Sequence, residues 1–343
     1  MSKRDLIAEI IAKKLRSKDK WSRASSSLYE LERSFASQEN EGKGLFALYL
    51  IGVASCMEVA VREAVRRLVD HGSPYLDRID EFKQHLRFDL DVVRALGDQQ
   101  ISFGDLVAHL LPVSSVEHID SHLGALLGCK LRQSLADIRE FVEPPASTWL
   151  GSDDSEEVPD STDRRNLVPN PDELLAVLSR IFTARHIAAH EADFSSVSRV
   201  DLVQFFQAAR KFIDALEEII DQTLHPNAPR SSFGLSLQVA NEAGEIYSSM
   251  EETTQQVLRL LQSDAAKELP PAAKEFQAAQ DAFHAYLEAE TAFEEARVRP
   301  FSGNALRFLD ARVYSSLCGA RNARLKEVVD DIEELISIVV DRD

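Results

Sequence analysis

Between Gly44 and His71, apolar residues recur at helical spacing: Leu45, Leu48, Ile51, Met57, Val61, Val65 and Leu68. A helix that long with a wide apolar face has to be covered, by lipid or by other helices. Glu58 and Arg62 interrupt its most apolar stretch, Gly44 to Ala64, so the segment reads as the core helix of a protein interior. Gly72-Ser73-Pro74 ends it.

The rest of the chain repeats this period. Glycine and proline are scarce (13 and 12), strict alternation is rare, and runs of Ala, Leu, Glu, Arg and Lys dominate. The expected class is all-α. Leu6, Ile7, Ile10, Ile11 and Leu15 predict a first amphipathic helix, and Leu28, Leu31 and Phe35 a short second one. After the long helix, shorter ones are expected over Ile79–Phe88, Asp91–Leu96, Phe103–Leu111 and His122–Phe141. Residues 143–171, rich in Pro, Ser and Asp, predict a long mobile surface loop. Asn170 and Pro171 then supply the cap and first position of a helix carrying Leu174, Leu175, Leu178, Ile181 and Phe182. A break at 193–198 separates it from a helix over Val200–Leu224. The Pro- and Gly-containing stretch 225–237 is the expected linker between a domain at 1–224 and one at 238–343. The second domain predicts three or four helices, over Val239–Gln262, Pro271–Arg297 and Asn304–Val340, the last broken or continuous.

A net charge of −18 argues against a protein that grips long nucleic acid with a broad basic face. Any such site must be a local basic pocket. The basic N-terminal run (Lys3, Arg4, Lys13, Lys14, Arg16, Lys18, Lys20, Arg23) reads first as a solvated helix face and second as a nucleic-acid contact. Cys56, Cys129 and Cys318 are sparse and odd in number, which predicts free thiols in a reducing cytoplasm rather than a disulfide framework. The first sixteen residues have no apolar signal region, so no export signal and no membrane association are expected. No Walker loop, GxGxxG or GxSxG occurs, and no cofactor is expected.

The segment with chemical content is Arg185-His186-Ile187-Ala188-Ala189-His190-Glu191. An arginine can hold phosphate oxygens with its fork of donors, and a histidine can move a proton at neutral pH. Together they suit phosphodiester cleavage, with Arg185 on the scissile phosphate and His190 as general acid or base. A ribose 2′-hydroxyl would supply the nucleophile, so no metal is needed. Arg185 and His190 are about 140° apart around a helix, so they do not share a face, and they can border one groove if another element meets the helix there. Two other readings stand beside this one. His186 and His190, at i and i+4, could be half of a metal site. The segment could also be a plain cationic helix end. The remaining histidines (71, 85, 109, 118, 122, 225, 284) read as surface or core residues.

This segment resembles the HEPN signature of arginine, a polar residue, a short spacer and histidine. The resemblance covers about residues 25–224 and is nearest to RNase-L-like and abortive-infection branches. It implies a helical bundle with the motif at the end of a late helix. The implied activity is a metal-independent endoribonuclease, with RNA as substrate and paired Arg/His sites in a homodimer. The acidic residue that such domains carry in a long apolar helix corresponds to Glu58, expected as the structural partner of Arg185. The candidate site is therefore Arg185, His190, His186 (the polar position) and Glu58.

In the C-terminal part, Ala279-Gln280, Phe283 and Tyr286, then Ser302-Gly303, then Leu317, Arg321 and Leu325 resemble the LprI-type lysozyme-inhibitor family. That family pairs cysteines where this chain has Thr291 and Val313, and Leu287 replaces its arginine. The resemblance thus implies a helical scaffold without its disulfide, with a binding or regulatory role toward a phage or host protein. The combined expectation is a toxin or antiphage effector with a C-terminal sensing or assembly domain. The alternative is a non-catalytic helical dimerisation scaffold or binding protein.

Overall fold

The computed structural model describes residues 3–17, 23–37, 43–85, 90–143, 164–191, 193, 197–263, 272–298 and 308–340. The protein is all-α. Its helices are α1 Lys3–Ser17, α2 Arg23–Ala36, α3 Lys43–His71, a 3-10 helix Leu76–His85, α4 Leu90–Gly97, α5 Phe103–Leu110, α6 Val116–Leu127, α7 Leu131–Asp137, α8 Pro171–His190, α9 Arg199–Leu224, α10 Ser232–Leu261, α11 Ala273–Val298 and α12 Leu309–Val340. Among the described residues, extended backbone pairs only at an isolated antiparallel bridge between Arg139 and Asn166.

The described residues up to Val142, together with those from Arg164 to Pro226, form one compact unit. Glu143 and the described residues from Asn227 onward form the second. In the first unit α3 is surrounded by α2, α5, α6, α8 and α9. It is the one helix among the described residues long and apolar enough to cross a membrane. Here Leu50, Val53, Met57, Val61 and Leu68 are fully covered by protein. Each large side chain so covered contributes about 1.5–3 kcal/mol. The N-terminal half of α3 is rotated from the expected face. Leu45 and Leu48 are exposed, while Ala47 and Leu50 point inward. That half is apolar all round, so period alone does not choose its buried side. Phe35, Tyr49 and Phe206 tie α2, α3 and α9 together, the Phe35 ring lying 5.4 Å from Tyr49 and 5.3 Å from Phe206. The helix α1 docks apart from this core, with Ile10 in a cluster of Val92, Ala95, Ile101 and Leu106.

Several boundaries differ from expectation. The helix predicted at Ile79–Phe88 is a 3-10 helix over Leu76–His85. Its buried Ile79 and Phe82 are three residues apart, the spacing that three residues per turn places on one side; Phe88 lies outside the described residues. The helix predicted at His122–Phe141 is two. The first, α6, begins at Val116 under the cap Ser115 and stops at Gly128, whose φ of 79° is left-handed. Glu143, expected in the first domain, groups with the second, where its carboxylate accepts from the Ser231 backbone N–H (2.7 Å) and hydroxyl. Residues 144–163, most of the predicted loop, lie outside the described residues, as does Ser302-Gly303. The helix expected from Val239 begins at Ser232, capped by Ser231. Gly234 reads as a loop residue in sequence, yet it sits in the first turn because a Cβ there would run into Pro229 and Glu143.

The second unit is a three-helix bundle. Ile246 faces Gly319 and Ser249 accepts from Asn322, so α10 and α12 run parallel. Thr254 meets Gln280 and Glu251 meets His284, so α11 runs antiparallel to α10. Met250, Val257, Leu287, Cys318 and Leu325 form the bundle's apolar centre. The third predicted helix is continuous over Leu309–Val340.

Candidate active site

The helix α8 is positioned at both ends by its sequence. Asn170 accepts the Glu173 N–H at 3.2 Å and Pro171 opens the first turn. Leu174, Val177, Leu178, Ile181 and Phe182 then bury one face in the first unit's core. Ala188 keeps that face buried through the last turn, so its neighbours Arg185, His186 and His190 emerge at the edge.

Arg185 is half-buried, and its Nη2 lies 3.4 Å from Glu58 Oε1 on α3. The expected pairing of these two residues is thus present in the geometry. Burial pushes the Glu58 carboxyl above the usual carboxylate range, against the pull of Arg185 and Arg62. His186 and His190 are exposed, their ring centroids 4.7 Å apart. His190 is the last residue of α8. The structure therefore brings Arg185 and Glu58 together at one edge, and puts two neighbouring imidazoles on the solvent side of the same helix end. A metal at His186 and His190 would need a further ligand. Among the described residues, no group of three His, Cys, Asp or Glu side chains could hold one.

Four residues beyond this pair, Arg62, His109, Lys13 and Glu9, were not assigned to the site by the sequence. Arg62, one turn beyond Glu58, donates to the carbonyls of Ala108 (2.6 Å) and His109 (3.1 Å) at the end of α5. The His109 ring lies under α1, where Lys13 Nζ donates to its Nδ1 at 3.4 Å and Glu9 stands 3.8 Å from its Nε2. Burial holds His109 below the usual imidazole range, aided by Lys13 and Arg62 and opposed by Glu9. Opposite charges thus alternate from Arg185 through Glu58, Arg62 and Glu9 to Lys13. The available signal was Glu58 and Arg62 at i and i+4 in an apolar helix, which marks a single polar edge.

In the second unit, residues quoted for the second resemblance also converge. Gln280 is buried and donates to Thr254 Oγ1 at 2.7 Å. Arg321 donates through Nε to Gln280 Oε1 at 2.7 Å and lies over the Phe283 ring. Leu325 is buried and Tyr286 is exposed. This cluster holds α10, α11 and α12 together and is a structural joint in its own right. Cys318 is buried beside it, and burial raises its thiol above the usual range. The chain matches no protein-family model, no curated protein and no solved structure.

Proposed function

We propose that this chain is a metal-independent endoribonuclease of the HEPN type, acting in the cytoplasm as a homodimer in a toxin or antiphage role. The observation that carries the reading is the end of α8. An arginine fixed on one side by a carboxylate is followed, on the same helix, by two exposed imidazoles. Glu58 holds part of the Arg185 guanidinium and leaves other donors for phosphate oxygens. His190 accepts the proton of a ribose 2′-hydroxyl. The freed 2′-oxygen attacks phosphorus, and Arg185 stabilises the added charge on the phosphoryl oxygens. The P–O5′ bond breaks, and a protonated imidazole, either His186 or the symmetry copy of His190, gives its proton to the 5′-oxygen. The products are a 2′,3′-cyclic phosphate and a 5′-hydroxyl. Exposed Leu45 and Leu48 lie on the same helix as Glu58 and suit a seat for a second copy.

Purified protein is expected to cleave RNA in the presence of chelator. Arg185→Ala and His190→Ala should each lower the rate at least about a hundredfold without unfolding the protein. Activity that survives His190→Ala overturns the site, and activity strictly dependent on divalent metal overturns the mechanism. A second reading, a non-catalytic helical scaffold, is favoured by the same ion pair, because Arg185–Glu58 also ties α8 to α3 beside their shared apolar core. Growth arrest on expression that both substitutions relieve selects the enzyme over the scaffold.

A further inference from the structure

The helix α11 is apolar on two opposite sides. Its inner side, Phe276, Gln280, Phe283 and Leu287, packs in the bundle. Two residues further round, Ala278, Ala282, Ala285, Ala289, Ala292 and Ala296 follow one another at spacings of four, three, four, three and four. This is a heptad seam running about 27 Å along the helix. All six alanines are exposed. The seam has two unlike borders. One carries Tyr286 and Phe293, 51% and 57% exposed despite their size. The other carries Asp281, Glu288 and Glu295, seven residues apart, with Lys274 one heptad before them in the first turn. A helix whose outer side combines a heptad of alanines with exposed aromatic rings is built to meet another helix.

The charges select the occupant. In an antiparallel pairing of two copies the seam is in register, Ala278 on Ala296, Ala282 on Ala292 and Ala285 on Ala289. The same register sets Glu288 against Glu288 and Asp281 against Glu295. In a parallel pairing Asp281 faces Tyr286 and Glu288 faces Phe293. Neither arrangement gives a carboxylate a cation, and like charges across a seam disfavour the pair. We infer that the outer side of α11 is a docking surface for an amphipathic helix of another protein. The partner's apolar stripe lies on the alanine seam and against Tyr286 and Phe293, and its lysines or arginines face Asp281, Glu288 and Glu295. The alanines let the two backbones approach closely, and the acidic border sets partner choice and orientation.

The test uses the full chain and two synthetic helical peptides of about three heptads each. Both have an alanine and leucine seam, and the flank that faces the acidic border carries lysine in one and glutamate in the other. The lysine peptide should bind in fluorescence anisotropy, more weakly as salt rises, and at least about tenfold more tightly than the glutamate peptide. The Asp281→Lys/Glu288→Lys double variant should reverse that preference. The Ala285→Gln/Ala289→Gln variant should abolish binding while leaving helicity and thermal unfolding unchanged, because both positions face solvent. Failure of the lysine peptide to bind up to about 0.1 mM, or equal binding of both peptides, overturns the proposal. So does sedimentation showing a dimer that Ala285→Gln/Ala289→Gln dissolves, since the occupant would then be a second copy.

Discussion

The helices α3 and α11 both carry apolar residues around more than one side, and they differ in which residues those are. In α3 the covered side is made of Leu50, Val53, Met57, Val61 and Leu68, and five α-helices and the 3-10 helix close over it. In α11 the covered side holds Gln280 and Leu287, while the opposite side is a file of alanines left to solvent. Side-chain size decides which way each helix side faces. A large side chain left outside forfeits about 1.5–3 kcal/mol, so most are buried, and those that stay out, such as Leu48 and Phe293, do so at a cost. An alanine forfeits little and favours the helix wherever it stands. An alanine seam can therefore face outward without cost to the fold and remain available for a partner.

The largest effect should come from breaking α3. Met57→Ala is expected to cost about 2–5 kcal/mol in denaturant unfolding, because its site is fully enclosed and the truncation removes packed atoms from it. Ala289→Gln on the outer side of α11 should change stability by no more than about 0.5 kcal/mol. If the two substitutions destabilise alike, the outer side of α11 is covered and the contrast fails.

A smaller effect sharpens the inner side of α11. Arg321→Ala strips Gln280 Oε1 of its donor inside the bundle and should cost about 1–3 kcal/mol. Replacing both partners, Arg321→Met with Gln280→Met, should cost less than the sum of the single changes. A double-mutant cycle measures this. Additive losses would mean that the polar joint contributes nothing beyond its packing.

How much was legible follows the same division between size and direction. The existence of α3, α8 and α9 was readable because their large residues repeat at helical spacing over several turns. The cap of α8 was readable because Asn170 and Pro171 act within one turn. The pairing of Glu58 with Arg185 could be anticipated as a partnership but not placed, since it depends on how α8 lies across α3. Arg62, Glu9 and His109 were out of reach, because their meeting requires α1, α3 and α5 to converge from distant parts of the chain. The exposure of Leu45 and Leu48 was missed for the opposite reason: too many apolar residues surround them for any pattern to rank the faces. The outward alanines of α11 look in sequence like ordinary helix-forming composition, and only their exposure gives the seam meaning.

The weakest expected effect belongs to α1, which stands between the two cases: one side covered by a small apolar cluster, the other held by charges. His109 faces Glu9 and Lys13 of α1 and lies beside Arg62 of α3, with Lys14 paired to Asp105 nearby. Burial and the Lys13 ammonium of α1 lower its imidazole against the opposing pull of Glu9, while Arg62 stays beside it whether or not α1 is docked, so the docked state binds its proton less readily than the undocked state does. By linkage, docking of α1 is strongest above about pH 6.5. It weakens as the pH falls from there through the lowered value, because the undocked helix takes up the extra proton. Glu9, itself held low by Lys13, keeps its charge across that window and does not confuse it. Hydrogen exchange of the α1 amides, corrected for intrinsic rates, should show protection falling between neutral and mildly acidic pH while the amides of α3 stay protected. His109→Gln should flatten the profile. A profile unchanged by that substitution would assign the hold on α1 to Ile10 and its apolar neighbours alone, and would place α1 with α3 among helices secured by burial.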